Sequence, residues 1–327
     1  MEKIYFYAPD KNTHHLFNHE NQQWIGLSDL YTCWIVRTYL NIKQAGLDCE
    51  VVDDIPKKGI VIADRGTLGN QYPYFGEAML ICAKGDSEFH SSAHLHIVQN
   101  LYDLQNRKNS LWNPYYIPHW PQPGLIPRSE ERSFLIENVA FMGTGSNLTK
   151  ELLSEKWLHS LSSLGCKWHP VFNKEKWNDY SYIDVIVAVR RFDKCTYPNK
   201  PASKLINCWR AGVPAVLAPE SAFLALRKSE LDFLIVRSLD EAIAAVKRLK
   251  NDPDLYLAMV ENGRERAEEF SEEIITESWM NFFHAEVPAQ YGKWLQMSEF
   301  ERRFLFLKRY LRLKLDRMQT RINKFSP

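Results

Sequence analysis

Short apolar runs alternate along this chain with longer stretches whose apolar residues recur every three or four positions. The first pattern is that of half-buried or buried strands, the second that of helices with one buried face. In the first half, Lys3–Ala8, Glu50–Val52, Gly59–Ala63, Ala78–Ala83 and His94–Val98 read as strands. Asp29–Gln44 reads as a helix, with Ser28 as its N-cap and Gly46 as its stop. The pattern restarts later with strands at Asn138–Met142, Lys167–Phe172, Ile183–Val189, Pro214–Ala218 and Phe233–Val236. Between and after them, Leu148–Gly165, Ser203–Ala211, Asp240–Lys250 and Pro253–Phe270 read as helices. Such alternation predicts α/β architecture with parallel sheets covered by helices.

Trp112–Arg128 interrupts the pattern with five prolines and four Trp/Tyr residues. Proline blocks regular pairing, so this stretch is expected to be an extended connection between two Rossmann-like domains facing a cleft. The expected division is 1–125, 126–285 and a basic helical tail at 286–327. A length of 327 residues suits two such domains.

Composition adds little until charge is placed. The formal net charge is +1, which gives no reason to expect nucleic acid. Residues 301–327, however, hold nine Lys/Arg against Glu301 and Asp316, leaving the rest of the chain net acidic. Within that tail Phe300, Phe304, Leu307, Leu311, Leu315, Met318 and Ile322 follow helical spacing. The tail therefore fits either a helix on an anionic membrane or one packed on the first domain or a second subunit. The six cysteines are scattered without a C-x-x-C pair, as reduced core thiols would be. No secretory signal and no apolar stretch of membrane-spanning length is visible, so a cytoplasmic protein, at most peripheral on the inner face of a membrane, is expected.

The chemistry concentrates between Arg190 and Phe223. A buried strand ends there, a basic loop follows, and Pro201, Ala202 and Ser203 open a helix. The free N–H groups and positive dipole end of a helix start favour a phosphate, and Lys200 and Lys204 bracket this one. Asn207 lies one turn beyond Lys204, placed to hydrogen-bond a ribose hydroxyl, and Glu220 adds a carboxylate after the next strand. The same residues also fit a solvated loop, an ordinary polar helix position and a helix-start carboxylate. Gly143-Thr144-Gly145-Ser146 after a strand is a tight turn with little specificity of its own.

The segment resembles the carboxyl-terminal domain of GT-B glycosyltransferases of the "glycosyl transferases group 1" type. Trp209-Arg-Ala-Gly-Val-Pro-Ala-Val-Leu-Ala is similar to the family's helix end, turn and strand, and Asn138-Val-Ala-Phe-Met-Gly-Thr-Gly-Ser-Asn-Leu to its first strand and glycine turn. The resemblance covers about 138–270. It implies that the backbone at Gly143 and Thr144 approaches a diphosphate, and that a UDP- or GDP-sugar is held by the second domain. Many relatives carry two glutamates seven residues apart, where this chain has Asn207 and a position near Asn199. Their carboxylate roles are therefore not transferred.

Displacing a nucleoside diphosphate needs cations for the leaving group and an acceptor hydroxyl aimed at the anomeric carbon. Arg190, Lys200 and Lys204 supply the first, while a base is expected from the first domain, with Asp64 and His14 as candidates beside Arg65 and His15. Asp64 and His14 fit capping or surface roles as well. No cofactor or metal is expected. His90, His94 and His96 have no ligand completing their set, and Asp252-Pro-Asp254 lacks a preceding buried strand and reads as a turn. The function expected is transfer of a sugar to a glycan, lipid-linked or small-molecule acceptor. The alternatives are a non-enzymatic GT-B-like binding or scaffold protein and a nucleotide-sugar epimerase.

Overall fold

The structure, a computed structural model, describes residues 2–18, 31–70, 76–193 and 195–325. The chain forms two compact units. Among the described residues, the first comprises those up to Pro118 together with those from Glu273 onward, and the second comprises His119–Glu272.

The first unit holds a six-stranded parallel sheet of β1 (Ile4–Tyr7), β2 (Cys49–Val52), β3 (Ile60–Asp64), β4 (Met79–Ala83), β5 (Leu95–Val98) and β6 (Pro114–Tyr116). Its order is β2-β1-β3-β4-β5-β6, with Ile4 opposite both Cys49 and Ile60. The central strands β3 and β4 are buried throughout, which is why they read as continuous apolar runs. A π-helical turn, Thr32–Val36, leads into α1 (Arg37–Gln44), and Gly46 at φ +93° ends it in a conformation that glycine adopts without strain. The N-cap expected at Ser28 lies outside the described residues. Two short helices, α2 (Arg65–Leu68) and α3 (Leu101–Gln105), follow β3 and β5.

The second unit holds a five-stranded parallel sheet of β7 (Asn138–Met142), β8 (Lys167–Val171), β9 (Val185–Ala188), β10 (Ala215–Leu217) and β11 (Leu234–Ile235), in the order β11-β10-β9-β7-β8. Its helices are α4 (Glu155–Ser163), α5 (Ser203–Ala211), α6 (Ser221–Leu226), α7 (Leu239–Asn251) and α8 (Pro253–Glu268). Helix α5 begins and ends where its pattern predicts. Gly212 closes it in the left-handed conformation, its N–H bonding back to Trp209 O. The helix expected over Leu148–Gly165 is instead a 3-10 turn (Lys150–Leu153) followed by α4, because Ser154 caps α4 at Trp157 N. Asp252 caps α8 through Leu255 N, so the Asp-Pro-Asp string is a helix start.

Three more helices, α9 (Glu272–Asn281), α10 (Val287–Gln296) and α11 (Glu299–Phe325), carry the chain back to the first unit. There Tyr291 Oη accepts from Gly59 N at 3.2 Å, and Trp294 Nε1 donates to Glu77 O at 3.0 Å. The tail expected as a separate region at 286–327 is thus integral to the first unit.

The proline-rich stretch also differs from expectation. Pro114–Tyr116 pairs with β5 as the last strand of its sheet. An edge strand tolerates proline at its first residue, where no ladder N–H is needed. The units divide at Pro118/His119, ahead of the border expected at 125, and again at Glu272/Glu273, ahead of 285.

Candidate functional site

In the second sheet β7 and β9 are neighbours, while the chain leaves β7 toward β8 on one side and β9 toward β10 on the other. Sheets of this order open a crevice for ligands at the carboxyl ends of the two strands where direction reverses. The residues singled out from the sequence in this unit assemble at those ends.

Gly143 follows β7 directly. A β-carbon there would stand 2.7 Å from Lys204 Nζ and 3.0 Å from the Phe141 ring, so only glycine leaves room for the lysine. Lys204, in the first turn of α5, donates to Met142 O, and its Nζ lies 5.0 Å from the Phe141 ring centroid. Burial, with neighbouring Arg190 acting the same way, pushes the Lys204 ammonium down to about 8. Thr144 and Asn147 close the following turn, Asn147 Nδ2 donating to Thr144 Oγ1 at 2.8 Å.

Arg190 follows β9. Its Nε donates to Asn147 Oδ1 at 3.2 Å, and its other end forms an ion pair with Glu220, which follows β10. Glu220 is buried almost completely and Arg190 partly. Burial raises the Glu220 carboxyl against the opposing pull of Arg190. The Arg190 guanidinium also lies 5.4 Å from the Tyr197 ring centroid. Tyr197 adopts φ +47°, a left-handed conformation costing a bulky residue about 1–3 kcal/mol, and so tightens the loop before Pro201. Lys200 is near enough for its charge to bear on both Lys204 and Glu220.

Helix α5 starts at Ser203 behind Pro201, with Ala202 at its N-cap and no side chain capping it. The first helical amides lack partners within their own helix, so this end keeps its full affinity for an anion. Asn207 is engaged elsewhere. It hydrogen-bonds the hydroxyl of Tyr180, a buried residue. Gly143, Thr144, Arg190, Lys200, Ser203, Lys204 and Glu220 are thus brought together, whereas Asn207 packs on Tyr180 one turn away.

The base candidates belong to the first unit, where local bonds hold them. Asp64 is buried and caps α2, accepting from Gly66 N at 2.8 Å and Thr67 N at 3.1 Å with one oxygen and from the Thr67 hydroxyl with the other. A carboxylate so engaged is the cap of α2. His14 Nε2 lies 2.8 Å from Ala8 O, in a 3-10 turn after β1. His90, His94 and His96 are buried, and burial pushes all three far below the ordinary imidazole range.

Two contributors escaped sequence reading. Asn147 was visible only as part of a turn, and its link to Arg190 is not local. Tyr197 gives no sequence signal at all, since a tyrosine in left-handed conformation is disfavoured by its own chemistry. A hollow of about 700 Å³ lined by Arg128, Arg210 and Arg264 lies at the other, carboxyl end of α5, beside Ala211 and Gly212.

Comparison with solved structures places this architecture. A glycosyltransferase from Rickettsia africae superposes over 91% of this chain and 99% of its own, with a TM-score of 0.51 at 9% identity. The fold is that of a GT-B glycosyltransferase. TarM of S. aureus aligns over 76% of this chain and 58% of its own, with a TM-score of 0.51 at 14% identity. The pneumococcal O-GlcNAc transferase GtfA, solved with UDP and GlcNAc, aligns over 80% and 60%, with a TM-score of 0.50 at 12% identity. This chain therefore spans less than two thirds of the length of TarM and GtfA. No protein-family model matches its sequence, and no curated protein does either.

Proposed function

We propose that the protein is a glycosyltransferase moving a sugar from a nucleoside-diphosphate sugar to a glycan, lipid-linked or small-molecule acceptor. One observation carries this reading: the uncapped amino end of α5 meets Lys204, Arg190 and Lys200 at the carboxyl ends of β7 and β9. A diphosphate leaving group gains charge as the glycosidic bond breaks, and fixed dipoles with cations at hand stabilise it. In this reading Gly143 and Thr144 let the backbone approach the diphosphate, and Lys204 meets it through the gap that Gly143 leaves. Arg190 is held in place by Glu220 and turned toward the turn at Asn147. UDP in the GtfA complex supports a uridine nucleotide as the first to test.

Thermal shift across UDP, GDP and their common sugar derivatives tests the reading. UDP or GDP is expected to raise Tm, and Lys204→Ala to abolish the rise. No shift with any of them removes the proposal. Release of free UDP together with a new glycoside separates transfer from the epimerase reading. Binding without turnover favours the non-enzymatic one, which draws on the absence of glutamates at Asn207 and near Asn199.

A further inference from the structure

Helix α11 is attached to its unit by one face only. Arg309 is buried, its guanidinium donating to Leu111 O at 2.8 Å and to Ala93 O, and Leu313 is buried one turn on. Arg302 donates to Trp294 O at 2.8 Å and lies over that ring at 4.6 Å. Arg317 holds Glu88. The opposite face carries Phe300, Phe304, Leu307, Leu311, Leu315 and Met318, whose exposures run from 50% to 77%. At 1.5 Å per residue this row is about 27 Å long. The apolar stripe is therefore not what docks the helix; the docking face is the one built on Arg309. Monomeric proteins seldom leave so continuous an apolar patch to water.

Charge along the margins of the row says what covers it. Lys308 flanks one side and Arg303 and Lys314 the other, all exposed. The acids of this helix are already engaged: Glu299 with Arg303, Asp316 with Arg312, and Glu301 with Ser298 N and Oγ. Pairing two copies of the row about a twofold axis would set lysine margins against each other with no free carboxylate on the helix to offset them. A surface of phosphate groups over hydrocarbon meets both features at once. Among the described residues no helix is long and apolar enough to cross a membrane, so a bilayer would be met by the exposed row of α11 rather than spanned.

We propose that the exposed face of α11 seats the protein on an anionic lipid bilayer. The apolar row enters the boundary between headgroups and acyl chains, and Lys308 and Lys314 reach the lipid phosphates. This inference does not rest on the transferase reading, and its test contains no nucleotide.

Co-sedimentation of the full chain with phosphatidylcholine vesicles, with and without phosphatidylglycerol, is the measurement. Binding is expected only with phosphatidylglycerol and is expected to weaken as salt rises. Phe304→Glu combined with Leu311→Glu should lower the partition at least about tenfold while Tm stays unchanged, because both side chains are exposed. Lys308→Glu with Lys314→Glu should remove the preference for phosphatidylglycerol. Failure of the wild-type chain to bind these vesicles overturns the proposal, as does binding that the apolar-row variant retains. A dimer that Leu311→Glu splits, seen by sedimentation velocity alongside indifference to vesicles, assigns the face to a second copy and also overturns it.

Discussion

Lys204 Nζ occupies the space that a β-carbon on Gly143 would need, 2.7 Å from where that carbon would stand. The glycine after β7 and the lysine in α5 are therefore one device, although 61 positions separate them in the chain. Gly143→Ala must displace the ammonium or bend the turn, because the Phe141 ring closes the other side at 3.0 Å. The expected cost is about 1–3 kcal/mol of stability, with a clear loss of UDP affinity. Calorimetric unfolding and isothermal titration check both, and an alanine variant that binds UDP as the wild type does would separate the two residues.

The charge state of Lys204 sets a pH dependence. Its folded value of about 8 lies below the 10.5 of an unperturbed lysine. Below about pH 8 both states hold the proton and the buried charge exerts its full destabilising effect. Between about 8 and 10.5 the unfolded chain binds the proton more tightly, so stability rises with pH through this window. Lys204→Met lacks the effect. The stability of the wild type relative to this variant should therefore improve by about 2–3 kcal/mol across the window, measured by urea unfolding. UDP affinity should move the other way, weakening as pH rises through about 8, because the neutral amine no longer pairs with phosphate.

In the Arg190–Glu220 pair the carboxylate is buried and the guanidinium partly so. Removing one member leaves an uncompensated charge, so Arg190→Ala should destabilise by about 3–5 kcal/mol. Arg190→Met combined with Glu220→Gln should recover most of that loss. A double-mutant cycle in denaturant measures the coupling, and additive single effects would show that the two residues act separately.

Asp184, fully buried ahead of β9, accepts from Arg128, Arg132 and the N–H groups of Glu137 and Asn138. Burial pushes its carboxyl up, but the Arg132 hydrogen bond, the two backbone donors and Arg128 outweigh it and hold the group below the usual carboxylate range. The sign follows: this stability is present above the unfolded value of 3.8 and is lost as pH falls through the lower folded value. Asp184→Asn should cost about 2–4 kcal/mol at neutral pH, and its deficit relative to the wild type should shrink on acidification below about pH 4. Acid unfolding followed by circular dichroism checks this.

The sequence made the architecture legible where apolar runs were long and punctuated by glycine, as at β3, β4 and α5. It misread Pro114–Tyr116 because proline's effect depends on whether a strand is central or at an edge, and that is decided by tertiary pairing. The cations of the site were legible because a helix start following a buried strand is a local pattern. Their partners were not. The Arg190–Asn147 bond, the Glu220 ion pair and the Asn207–Tyr180 bond each span between 27 and 43 positions and have no periodic trace. Asp64 shows the reverse case: a carboxylate after a strand suggests a base, but Gly66 and Thr67 two and three residues later are just as readily a cap.

The return of residues 273–327 to the first unit has a consequence for biosynthesis. His119–Glu272 is one uninterrupted segment and can close its sheet as soon as it has left the ribosome. The earlier-made strands β1–β6 pair with one another, but the bonds that Gly59, Glu77, Leu111 and Ala93 make to Tyr291, Trp294 and Arg309 form only when that later segment has been made. The half synthesised first is thus the half completed last, and a chain cut before Tyr291 would lack the bonds that this segment makes to Gly59, Glu77, Leu111 and Ala93.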